Sequence, residues 1–163
     1  MKYVLYTIGL FFICLFQVSF LNTLNGFGGH IDLVYILLFS YYLLKQDRFS
    51  LYLFFIGGIF IDFLSISQIG VTSADFFISV LAFVLITYII PSERVGKVIS
   101  ILFASVVFFL ISYITVNFLS VHDIRGIFLV IPWGIVNGIG IFVIANILPS
   151  LPFLKTENKI KIR

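Results

Sequence analysis

The sequence predicts an all-α integral membrane protein, a six-transmembrane-helix bundle with both termini in the cytoplasm. Three observations predict it. Of 163 residues, 61% are hydrophobic and only 10% charged, and the mean hydropathy is +1.21; soluble domains carry roughly 25% charged residues. Six apolar runs alternate with short polar or glycine-bearing turns. Basic residues fall almost wholly on one set of alternate turns. A chain this poor in polar side chains cannot cover a water-facing surface, so its solvent is mostly lipid.

The first run, Tyr3 to Leu21, follows Lys2. It is longer than a signal-peptide core and no small-x-small site follows it, so it reads as an uncleaved first span. The Gly/Asn turn "NTLNGFGGH" leads to the second run, Ile31 to Leu44, which ends at "KQDR". The third run spans Phe49 to Ile66, followed by the turn "SQIGVTS". The fourth runs from Thr72 to Ile90 and stops at "PSER"; the fifth runs from Gly96 to Leu119. "SVHDIRG" precedes the sixth, Ile127 to Leu148, and "PSLP" ends it. The domain reading is a six-helix membrane domain over 1–154 and a short basic cytoplasmic tail over 155–163.

The second run is short enough to be re-entrant, which would leave five spans. Charge decides against that. With six spans and a cytoplasmic N-terminus, Lys2, Lys45, Arg48, Arg94, Lys97, Lys155, Lys159, Lys161 and Arg163 lie inside and only Arg125 lies outside. That is a strong positive-inside bias, and a re-entrant second run would reverse most of it. The basic tail is expected against anionic lipid headgroups, not nucleic acid.

Within this frame Asp62 demands a reason, because a carboxylate in hydrocarbon costs several kcal/mol or more on most scales. It lies about 20 Å along the third helix, in the outer half. Gly58 and Asp62 share one face, with Ser65 continuing it. Two readings of Asp62 stand side by side. In one it caps or hydrogen-bonds a neighbouring helix for packing alone. In the other Asp62, Asp75 and Arg125 organise an outer site. For Asp75, the favourable dipole end of a helix suffices. Gly70 closes the turn after the third helix. Asp32 and His30 open the second helix, and Gln17 lies late in the first. In "IPWGIVNGIG" Pro132 sits near the helix start, Asn137 is expected to hydrogen-bond across helices, and Gly134 with Gly138 forms a small-xxx-small pair. The abundant Phe and Tyr read mainly as lipid-facing bulk and interfacial belt. Cys14, the single cysteine, reads as a small apolar filler.

No enzymatic set is expected. The sequence has no Walker loop and no dinucleotide fingerprint. His30 and His122 stand without metal-ligand spacing, no serine sits in a nucleophile elbow, and no acid/base pair emerges. No cofactor or metal is expected.

The order of Gln17, the segment "HIDLV", Gly58, Asp62, Gly70 within "SQIG", Pro132 and Asn137 resembles the rod shape-determining protein MreD family. The family usually has a proline before the first polar residue of the second span; here Ile31 precedes Asp32. The resemblance implies a non-enzymatic scaffold of bacterial cell elongation in the cytoplasmic (inner) membrane. Its implied partners are an MreC-like membrane protein and, directly or indirectly, MreB filaments and peptidoglycan synthases. It also implies a fold similar to the substrate-binding subunits of energy-coupling-factor vitamin transporters, and that similarity supplies the alternative function.

Overall fold

The computed structural model describes residues 2–21, 31–65, 69–90, 94–120 and 127–148. The described residues are all-helical, with six α-helices and no strand. These are α1 (Lys2–Phe16), which runs on into a π-helical turn (Gln17–Leu21), α2 (Leu33–Lys45), α3 (Arg48–Leu64), α4 (Val71–Ile89), α5 (Arg94–Ser120) and α6 (Ile127–Ile147). Four stretches are long and apolar enough to cross a membrane: Tyr3–Leu21, Val71–Ile89, Val95–Thr115 and Val130–Ile147. The chain is a multi-pass membrane protein.

Two helices fall short of that length. α3 has 17 residues and α2 only 13, about 20 Å of rise for α2. A helix that short suits a position where protein, not lipid, surrounds it. α2 has that position. Val34, Tyr35, Ile36, Leu38, Phe39 and Ser40 are all buried, so no single face carries the burial.

The contacts fix the directions. Tyr3 and Phe11 on α1 meet Phe49 and Phe60 on α3, so these two run parallel. Asp32, Ile36 and Ser40 on α2 meet Asn137, Gly140 and Ile141 on α6, also parallel. Gly58 meets Ser73 across α3 and α4, and Gly134 and Gly138 meet Val106 and Leu102 across α6 and α5, both antiparallel. Helices α1, α3 and α5 therefore run one way and α2, α4 and α6 the other. Among the described residues every Lys and Arg falls at one end of this bundle, called the basic end below.

The connection from α2 to α3 takes two residues. Gln46 closes α2 in the left-handed region (φ 47°), with its N–H on Tyr42 O. Asp47 then caps α3 by accepting from Ser50 N at 2.8 Å.

Around α2 the core is aromatic. Tyr35 stacks on Phe108 of α5 with centroids 4.0 Å apart, and Phe39 meets Phe83 of α4 edge-on at 5.5 Å. Phe54 and Phe76 close the cluster at 5.5 Å. Such pairs contribute about 0.5–1.5 kcal/mol each beyond area burial. Many of the rings assigned to lipid by the sequence therefore hold the centre. In hydrocarbon, where apolar burial alone gives little drive, their shape-specific contacts matter more. Cys14 is fully buried, with its thiol 3.8 Å from Gly57 O.

Candidate functional site

The acidic and carboxamide side chains inside the bundle gather in one layer. Counted from the basic end, Gln17, Asp32, Asp62 and Asp75 each lie about 20 Å along their helices, and Asn137 about 15 Å. Two groups make up the layer.

The first group seals the amino end of α2. That end lies deep in the bundle, so its orphan backbone N–H groups have no water to turn to. Asp32 takes the N-cap and its Oδ1 accepts from Tyr35 N at 2.8 Å. Gln17, at the start of the π turn, acts twice: its Nε2 donates to Asp32 Oδ1 at 2.9 Å, and its Oε1 accepts from Val34 N at 2.7 Å. Asn137 Oδ1 accepts from Asp32 N at 2.8 Å, while its Nδ2 donates to Trp133 O at 2.9 Å. Three side chains, from the π turn after α1, the N-cap of α2 and α6, thus accept from three backbone N–H groups at one helix end, those of Asp32, Val34 and Tyr35. Gln17 is 5% exposed and Asn137 not at all.

The second group joins α3 to α4. Asp62 is fully buried. Its Oδ2 accepts from Gly70 N at 2.7 Å, and both oxygens lie 3.2 Å from Thr72 N. Asp62 therefore caps the next helix from outside it, as the packing reading expects. Gly70 itself takes φ +97°, a conformation that suits glycine. Gly58, one turn back, lets the Ser73 backbone approach so closely that a Cβ would sit 2.5 Å from Ser73 Cα. Ser73 Oγ in turn donates to Phe55 O at 2.9 Å. Ser65 does not continue the buried face. It is exposed, and its hydroxyl donates back to Ile61 O.

Asp75 lies beyond the first residues of α4, and a dipole argument alone does not account for it. Ser112 Oγ on α5 donates to its Oδ2 at 2.8 Å. Arg125, expected to complete an outer site with Asp62 and Asp75, lies outside the described residues, as do His30, His122 and the tail. Pro132 sits inside α6 with its ring exposed, not at the helix start, so the Phe128 carbonyl loses its helical donor. Gly138 lies in the α5–α6 seam, where a Cβ would meet Leu102 Cδ2 at 2.8 Å.

The structure also brings in residues the sequence reading passed over. Thr72, Ser73 and Ser112 each bond to the acidic layer or the α3 backbone. Their signal was present: serines at 73 and 79 mark the buried face of α4. Tyr35 was missed as well. Its Oη is buried without a hydrogen bond, flanked by Ser79 and Ser105, whose hydroxyls donate to carbonyls of their own helices.

Chemically, the layer clamps helices together. Its acceptors face backbone N–H groups and hydroxyls, and among the described residues no group of three His, Cys, Asp or Glu is arranged to hold a metal ion. No family model, curated protein or solved structure matches the chain.

Proposed function

We propose that this chain is a non-enzymatic membrane scaffold of the MreD kind. It crosses the bacterial cytoplasmic membrane six times with both termini inside, and it holds an MreC-like partner in the cell-elongation complex. The observation that carries this reading is how the layer's residues are used. Of the residues that carry the resemblance, Gln17, Asp32, Gly58, Asp62, Gly70 and Asn137 bond to or pack against the protein's own helices, while Pro132 is exposed on α6. They tie the described helices to one another. On this reading a bundle so tied, with an apolar exterior, works by contact with other membrane proteins. The proposed contact uses outer-half helix surface and the short outer loops, because MreC-like partners combine one membrane helix with an extracytoplasmic body. MreB filaments and the peptidoglycan synthases are then reached through that partner or beside it.

The test is purification of a tagged copy in mild detergent. An MreC-like protein in the eluate supports the scaffold. A tightly held vitamin together with an energy-coupling ATPase module identifies a transporter subunit instead and overturns it.

A further inference from the structure

The α5–α6 pair is closed by a glycine zipper over part of its length only. Gly134 faces Val106 and Gly138 faces Leu102, each too close for a Cβ. The same face of α6 continues every fourth residue as Phe142 and Asn146. Neither is small. Continued in this antiparallel register, Phe142 falls opposite Val98. A groove of about 610 Å³ lies between the two helices there, toward the basic end. Its walls are apolar, with Val95, Ile99 and Phe142, and its polar groups are Lys97 and Asn146. Asn146 Nδ2 donates to Phe142 O at 2.7 Å, which commits one amide hydrogen and leaves the second for another acceptor.

We propose that this groove is a binding site for one anionic phospholipid, with an acyl chain between the helices and the phosphate at Lys97. Four observations point to that occupant. The groove opens on the exterior of a membrane protein, where hydrocarbon chains are the surrounding solvent. Among the described residues its charged lining group is a cation, Lys97, at the end of the bundle where the described basic residues collect. Val95, Lys97 and Val98 belong to the opening turns of α5, whose N–H dipoles favour a negative group. The chain's own tail is a poor rival, because Lys155, Lys159, Lys161 and Arg163 outnumber Glu157 and would be repelled by Lys97. A second groove of about 480 Å³ between α1 and α3, lined by Tyr3, Thr7, Phe49 and Tyr52 among others, shows no cation among the described residues of its lining. It is not expected to discriminate headgroups.

The inference does not depend on the scaffold reading, since its readout needs no partner protein. The full-length chain is purified in mild detergent and titrated with phosphatidylglycerol or phosphatidylcholine of the same acyl chains, and bound lipid is counted by native mass spectrometry. The wild type is expected to retain phosphatidylglycerol preferentially. Lys97→Gln should lower phosphatidylglycerol affinity about fivefold, the loss of one near-surface charge, and leave phosphatidylcholine unchanged. Arg48→Gln, at the same end but outside this groove, should alter neither. Ile99→Trp, which fills the groove from an exposed position, should remove the retained lipid of both kinds. Equal retention of the two lipids by the wild type overturns the proposal. So does an equal effect of Lys97→Gln and Arg48→Gln, or an unchanged lipid count in Ile99→Trp.

Discussion

Replacing Gly58 by alanine tests the α3–α4 clamp most directly. The added Cβ would lie 2.5 Å from both Ser73 Cα and Ser73 N. Carbon contacts settle at about 3.5–4.0 Å, and the obstacle is backbone, so the two helices must separate by about 1 Å. Overpacking of that kind costs about 1–3 kcal/mol. The separation also stretches the bonds from Asp62 to Gly70 N and Thr72 N, already 3.2 Å for the second; losing one costs about 1 kcal/mol. Alanine returns about 1 kcal/mol of helix propensity. The net loss is about 1–3 kcal/mol, which for a chain of this length lowers the melting temperature by about 3–9 °C. Two built-in reporters follow it. Cys14, the single cysteine, is fully buried and reacts with a thiol dye only when the bundle opens. Trp133, the single tryptophan, reports from α6 by fluorescence. Gly9→Ala is the control, since nothing lies within 4 Å of its added Cβ. Its melting should match or slightly exceed the wild type. If Gly58→Ala melts within about 2 °C of wild type by both probes, the close approach is not what holds α3 to α4.

Other substitutions separate the remaining interactions. Asp62→Leu leaves the Gly70 and Thr72 N–H groups without their acceptor and should cost about 3 kcal/mol. Asp62→Asn keeps one acceptor oxygen and should cost about half that; equal melting of the two variants would remove capping as the role of Asp62. Gln17→Leu and Asn137→Leu should each cost about 2 kcal/mol. A double-mutant cycle should show them coupled through Asp32, and strict additivity would contradict the shared network. Tyr35→Phe removes a buried hydroxyl that has no partner, so stability should hold or rise by about 1 kcal/mol. A loss of that size would show the hydroxyl bonded to Ser79 or Ser105. In a Cys14→Ala background, cysteines at Asn25, Gln68 and His122 should react with an impermeant label from outside, and those at Gln46 and Lys159 should not. Labelling of either inner position would sink the six-span orientation.

The helices were legible because lipid permits few alternatives: an apolar run between turn residues has to be a helix. The helix ends agree with the runs to within two residues at each described boundary, because the breaks at "KQDR", "SQIG" and "PSER" are chemically unambiguous. The close approach at Gly58 and a capping role for Asp62 were legible for the same local reason, a glycine and a carboxylate on one face. What was not legible is α2 as the hub. Its residues are apolar on every side, and an apolar side chain reads the same whether lipid or protein faces it. The aromatic core was hidden likewise, since phenylalanine serves both settings. The Asp32–Asn137 bond joins residues 105 positions apart, and one sequence carries no record of that pairing.

The buried amino end of α2 sets an order for biogenesis. Gln17 is made before α2, but Asn137, the acceptor for Asp32 N, lies in α6, which is made after the other five described helices. Ser40 likewise reaches Ile141 O. Until α6 joins the bundle, α2 has an unpaired backbone donor and one flank lacking its neighbour. The nascent protein stays incomplete at its centre, although four of its six described helices are already continuous around that gap. A chain truncated before Asn137 should therefore be inserted yet short-lived, open to the membrane proteases that clear unfinished bundles. Adding the last helix back as a separate polypeptide should extend its lifetime only if that polypeptide keeps Asn137.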